Sequence, residues 1–535
     1  MLSKPIFLLF LGLLSFSQLL GKDCKTNSNR TNFNVLHYRL AINFDTLNKK
    51  LDGTVQVKCI YTATQNIPIQ IDAQSPLKIT KVTFNERDLH FQKTEDGYLV
   101  NLEKHIKKAD TFSIVIHYEG TPRLALNAPW DGGSIVQQDN NGKLWWAIAC
   151  QGLGASIWFP CKDMPDDEPE EGVELFYTIP NNLSAIGNGR LMGITPKNDQ
   201  QKTWHWSVKS PINLYDITFY IGDYVHWQEE MTGLSGKLDL DYYVLNNHLE
   251  VAKKHFEMVP EMIRIFEDWM GPYPFYQDGY KLVEAPYLGM EHQSAVAYGN
   301  QYQNGYLGKD RSNTGIGNLF DFVIVHESGH EWFGNNISIK NNSDFWIHEG
   351  FTSYTEVMYI DSKFGKKKAL EYLIGTQALI KNKIPLINTI NSCHNSNTDN
   401  YPKGASLIHI LRTLMKDDVK FKQLLHKMNQ QFFHKTVTSK EIENFIIKES
   451  GLKLDKIFDQ YLRQSNLPTL SIKKSKNGFS YQWKNCVKGF DMPIKLMING
   501  KEKWLYPDEK QRKWKQKNIH TISKDPAFYC DFNIK

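Results

Sequence analysis

The stretch HESGHEWFGNNISIKNNSDFWIHEG, His326 to Gly350, restricts the fold more than any other part of the chain. Leu319, Phe322, Val323, His326 and His330 recur at helical spacing, which predicts a helix carrying all five on one face. Histidines four apart lie one turn apart, so both rings can reach a single ion. Glu327 follows the first histidine and can address a water on that ion from the side. Glu349 comes after eighteen intervening residues, in WIHEGF, which reads as the start of a second helix.

Two histidines and a carboxylate are the protein ligand set of a catalytic zinc with one position left for water. His326, His330 and Glu349 are therefore the expected metal ligands, with one Zn2+ per chain. Glu356 lies seven residues beyond Glu349, on the same helix face, and is a candidate to hold a histidine ring. His348 faces elsewhere on that helix and is read as a bystander. Zinc acidifies water and polarises a carbonyl, while Glu327 would take the proton and deliver it to the leaving amine. That is amide hydrolysis without a covalent intermediate, and these residues alone do not separate an endopeptidase from an exopeptidase. Gly329 inside the motif costs about 1 kcal/mol of helix propensity, which packing has to offset.

With 535 residues, the chain is long enough for two to four domains. Its 63 basic and 58 acidic residues leave too small a surplus to argue for nucleic acid, and short Lys runs such as Lys366 to Lys368 read as solvated helix face. Lys4 followed by the apolar run Ile6 to Leu20 has the pattern of a secretory signal, residues 1–21, which implies a periplasmic or secreted protein. Lys22 and Asp23 place lipidation at Cys24 second, and no later segment is apolar enough for a stable membrane span. The seven cysteines form no CxxC pair; Cys150 with Cys161 and Cys486 with Cys530 are the disulfide candidates.

Residues 28–222 alternate with period two: Tyr38, Leu40, Ile42 and Phe44; Val55, Val57, Cys59 and Tyr61; Phe112, Ile114, Ile116 and Tyr118; Val173, Leu175, Tyr177 and Ile179. That predicts a β-rich N-terminal domain. Residues 223–466 are mainly helical. Ala252, Phe256, Val259, Ile263, Phe266 and Met270 mark one face of a helix that Pro260 kinks or divides. Thr438 and Glu441 form a capping box, with Gly451 placed to end that helix. Residues 467–535 return to strands, with hairpin turns expected at Asn477-Gly478 and Asn499-Gly500, and read as a small C-terminal β domain.

Four ordered segments carry a resemblance. HESGHEWFGN followed by WIHEGFTSYTE resembles the M1 family of zinc aminopeptidases, the gluzincins that include aminopeptidase N and leukotriene A4 hydrolase. YLGMEHQSAVAYGN is similar to that family's exopeptidase signature, YPKGASLIHILR to its Tyr-x-Lys-Gly segment, and CQGLGASIWFPCKDMPDDEP to its upstream motif. The resemblance implies a multidomain α+β protein with a thermolysin-like catalytic domain. It implies that Glu291 binds the substrate α-ammonium, that Gly289 and Met290 run alongside the substrate, and that Gln151 lies near the first substrate residue. It also implies that Tyr401 donates to the oxyanion. Leu288 and His292 depart from the signature, and the second change alters what supports Glu291 locally. The helical C-terminal domain of many relatives is expected to be absent, leaving a site more open or completed by a partner subunit.

The sequence reading is thus an exported zinc aminopeptidase acting on peptides with a free N-terminus, possible as a homo-oligomer. The alternatives are a zinc endopeptidase with the same metal centre and a catalytically idle binding scaffold.

Overall fold

The computed structural model describes residues 27–535 apart from 66, 96, 103–105 and 388–396. The expected signal segment, Cys24 and Cys393 lie outside the described residues. Among those described, no helix is long and apolar enough to cross a membrane.

The period-two segments pair into an eight-stranded sheet. Its centre is Val173–Pro180, Phe33–Asp45, Lys50–Tyr61 and Thr111–Gly120, in that order. Neighbours there run antiparallel, except that Phe33–Asp45 and Val173–Pro180 are parallel, with Tyr38 opposite Val173. All sixteen alternating apolar residues named above are buried, so one pleat face forms the core. A second, four-stranded sheet packs onto that face through aromatic edges: Phe44 meets Trp146 at 5.6 Å and Phe219 at 4.8 Å between ring centroids.

A further sheet opens the region that follows, and helices predominate over strands in residues 223–466 as expected. Tyr224–Gly233, Gly236–Leu245, Tyr280–Glu284, Val296–Tyr298 and Gly289–Met290 form a mixed five-stranded sheet in that order. Tyr280–Glu284 is buried at every position, so it shows no alternation to read. Gly289–Met290 is the edge strand and lies beside the site helices.

The stripe from Ala252 to Met270 is two helices, Leu249–Phe256 and Val259–Met270, with all six stripe residues buried. Pro260 sits in the first turn of the second, where a missing N–H costs nothing. The capping box at Thr438 and Glu441 is formed, and Gly451 ends that helix in the left-handed region at φ 67°.

At the C-terminal end, a four-stranded and a three-stranded sheet share one apolar core with the helices. Asn499 (φ 49°) and Gly500 (φ 73°) make the two-residue turn expected of them. The other hairpin turns one residue early. Ser475 pairs with Gly478 and the loop is Lys476-Asn477; Gly478 already belongs to the next strand, where any Cβ would run into the Trp514 carbonyl of the neighbouring strand. Neither disulfide candidate is formed: Cys150, Cys161, Cys486 and Cys530 are free thiols, and the Cys150 thiol donates to the Tyr215 carbonyl at 3.2 Å.

Candidate metal centre and active site

The helix carrying the histidines is Phe322–Gly329, shorter than the apolar spacing implied. Asp321 caps it, accepting from Ile324 N at 3.0 Å, so Leu319 falls in a preceding turn and is exposed rather than on the helix face. His330 occupies the C-cap with α-like backbone, which keeps its ring one turn from that of His326.

The partner helix, Trp346–Phe364, is buried from Trp346 to Ile360. Gly329 lets the two helices touch: a Cβ there would collide with the Thr355 side chain, whose Cγ2 would be 3.1 Å away. That close approach is the packing that offsets glycine's poor propensity. A second glycine crossing joins the partner helix to Pro402–Met415, since a Cβ on Gly350 would lie 3.0 Å from Gly404 Cα. It carries Tyr401, at the start of that helix, to within stacking distance of His326, with ring centroids 5.8 Å apart.

His326 Nε2 and His330 Nε2 each lie 3.5 Å from Glu349 Oε2, and that oxygen has no hydrogen-bond partner. The other ring nitrogens are engaged. His326 Nδ1 is 2.7 Å from Glu356 Oε1, and His330 Nδ1 is 2.9 Å from the Phe333 carbonyl. Glu356 is itself held through Oε2 by the Tyr372 hydroxyl at 2.6 Å. Both Nε2 atoms are thereby turned toward one carboxylate oxygen. Donors about 3.5 Å apart suit a single ion with bonds of about 2.0–2.1 Å, and the nitrogen–oxygen set suits zinc. The orphaned, buried Glu349 oxygen is what such an ion would satisfy. His348 is buried with neither ring nitrogen bonded and lies outside this donor set.

Glu291, Glu327 and His330 offer a second convergence, with one donor atom from each within 4.8 Å of the others. Glu291 Oε1 accepts from Gln151 Nε2 and, at 3.1 Å, from the Tyr215 hydroxyl. Asn335 Nδ2 donates to the Glu291 carbonyl at 2.8 Å, and Glu331 Oε1 accepts from Ser294 N at 2.8 Å, fixing the turn that follows. His292 faces away and bonds the Tyr220 hydroxyl through Nδ1 at 2.7 Å. Support for Glu291 therefore comes from Gln151, Tyr215 and Asn335, and the last two carried no motif in the sequence.

Met290 is buried and Gly289 passes close to the site helix. A Cβ on Gly289 would sit 2.9 Å from Glu327 Oε1 and 2.7 Å from Val323 Cγ1, so only glycine lets the edge strand pass there. Loss of solvent pushes the Glu327 carboxyl up to about 7, against the pull of His326 and His330. Burial, then the negative charge of Glu349 and Glu291, holds the Tyr401 phenol well above its ordinary value, so it keeps its proton. Burial lowers His292 to about 3, leaving it neutral.

Comparison with known proteins agrees with this architecture. The Peptidase M1 N-terminal domain matches residues 34–215 and the Peptidase family M1 domain matches residues 254–461. Aminopeptidase N of Lactobacillus helveticus is 21% identical over 475 residues, covering 83% of this chain and 52% of that protein. Leukotriene A-4 hydrolase of Xenopus laevis is 25% identical over 329 residues, covering 57% of this chain and 50% of that protein. The chain spans about half the length of the curated relatives it matches. Among solved structures, the M1 zinc metallopeptidase from Deinococcus radiodurans superposes with a TM-score of 0.66 at 19% identity, covering 82% of this chain and 95% of that one. A mutant two-domain M1 zinc metallopeptidase bound to L-tryptophan gives a TM-score of 0.70 at 19% identity, covering 83% and 98%. Family and donor geometry together imply one zinc ion at His326, His330 and Glu349. Two family domains in succession, over the fold of the family's solved members, make this chain a member of peptidase family M1.

Proposed function

We propose that the protein is a zinc-dependent aminopeptidase that removes the first residue of peptides with a free N-terminus. The observation that carries this reading is the placement of Glu291. A buried carboxylate with its own supporting donors sits within 4.8 Å of both Glu327 and a metal ligand. Pairing with an α-ammonium satisfies that charge; a blocked N-terminus or a continuing chain leaves it desolvated and unpaired.

Each group then has a task. Zinc, when bound, polarises the scissile carbonyl and acidifies water. Glu327 takes the attacking water's proton and passes it to the departing amine nitrogen. Tyr401, neutral and stacked beside His326, donates its hydroxyl proton to the oxygen that gains charge. Gln151 fixes the Glu291 carboxylate by donating to one of its oxygens. Gly289 and Met290 present an unpaired strand edge along which a substrate backbone can lie.

The endopeptidase alternative shares the metal set but gives Glu291 nothing to pair with. The idle-scaffold alternative leaves the complete set of donors, base and phenol without a use. An aminoacyl-amide panel, assayed with chelator, then with zinc restored, and with Glu327→Gln, tests the reading. Turnover is expected to vanish with chelator, return with zinc and fail in the variant. Turnover that survives both chelator and substitution contradicts it.

A further inference from the structure

The cleft has a second side that neither the metal nor the amine anchor uses. Arg311 lies in the loop before the first site helix, with its guanidinium 5.0 Å from the Phe322 ring centroid and 5.3 Å from that of Tyr306. Phe322 stacks on His326 at 5.0 Å with 17° between planes, and His326 stacks in turn on Tyr401. The guanidinium is thus two stacking steps of 5.0 Å from a metal ligand. Arg311, Phe322, Glu356, Tyr372 and Tyr401 line one cavity of about 20 Å³.

Glu291 groups with His330, whereas Arg311 reaches the centre through His326. If Glu291 holds the first residue, Arg311 lies on the side of the leaving fragment. Among the described residues no carboxylate forms an ion pair with it. The carboxylate that shares its cavity, Glu356, is occupied by His326 and Tyr372. A planar guanidinium resting against two aromatic rings, with no ion-pair partner among the described residues and with Tyr401 lining the same cavity, is preorganised for a bidentate carboxylate.

We propose that Arg311 is a specificity-determining residue that pairs with a carboxylate carried by the leaving fragment, so that the enzyme favours short peptides with a free C-terminus. This rests on the aminopeptidase reading, which sets the direction of the substrate. An extended chain advances about 3.3–3.6 Å per residue, so a leaving fragment of one or two residues brings its terminal carboxylate to the guanidinium, and a longer one overshoots it. The same chemistry could come from an acidic side chain, and the substrates below separate the two sources.

The test is binding to zinc-loaded Glu327→Gln protein, by calorimetry, of X-Ala-Ala, X-Ala-Ala-amide and X-Glu-Ala-amide, X being the residue the parent protein removes fastest. The free acid is expected to bind about tenfold or more tightly than its amide. Adding Arg311→Ala should bring that ratio to near one, and Arg311→Lys should leave it between the two, keeping charge without the fork. A preference carried by X-Glu-Ala-amide and lost with Arg311→Ala supports the same pairing with a side-chain carboxylate as its source. Equal binding of acid and amides, or a preference that survives Arg311→Ala, overturns the inference while leaving the aminopeptidase reading intact. Failure of all three peptides to bind overturns both.

Discussion

The two halves of the cleft are built in different ways. The metal half is assembled within two neighbouring helices: His326 and His330 on one, Glu349 and Glu356 on the other, with Gly329 setting their approach. The anchor half converges from far apart in the chain. Gln151 and Tyr215 reach Glu291 from the N-terminal β-rich region, and Asn335 secures its backbone from beyond the metal helix. Holding the ion thus depends on one local helix contact. On the proposed aminopeptidase reading, recognising a free amine would depend on the N-terminal region being docked against the catalytic one. Metal binding and exopeptidase selectivity should therefore come apart under mutation.

The largest effect should come from the base. Glu327→Gln is expected to retain zinc by metal analysis while kcat falls about 10²–10⁴-fold. Glu291→Ala should also retain zinc. Its kcat/KM on peptides with a free N-terminus should fall roughly a hundredfold, the scale of losing one partner of a buried charge pair, about 3 kcal/mol. Loss of zinc from this variant would break the division between the halves. Glu356→Gln should show the converse, weakening zinc affinity about 10–100-fold in a chelator competition while the free-to-blocked selectivity stays as it was. Smallest is Gly329→Ala. The methyl group meets Thr355, so the apo protein should lose about 1–3 kcal/mol in thermal or denaturant unfolding despite alanine's better helix propensity.

The same division explains what the sequence disclosed. The metal half was legible because its ligands obey helical spacing and a fixed interval; even Glu356 could be placed by its distance from Glu349. The capping box at Thr438 and the turn at Asn499-Gly500 were readable for the same reason, being local. Tyr215 and Asn335 carry no local signal, because a tyrosine and an asparagine are ordinary in their own segments and acquire a role only through tertiary contact. The Gly350–Gly404 crossing that positions Tyr401 was equally hidden. Burial on both faces erased the alternation of the Tyr280–Glu284 strand, and the hairpin before Gly478 turns one residue earlier than its Asn-Gly pair suggested because Gly478 already pairs within the next strand. Leu319 kept the right spacing but lies outside the helix, because Asp321 starts it later.

The central claim is that Glu291 turns a general zinc peptidase centre into one that reads the N-terminus. One peptide, offered free and N-acetylated to the zinc-loaded protein with products identified by mass spectrometry, tests it most directly. The account predicts stepwise loss of single residues from the free peptide and no cleavage of the acetylated one. Comparable cleavage of both, or an internal cut in either, would contradict it.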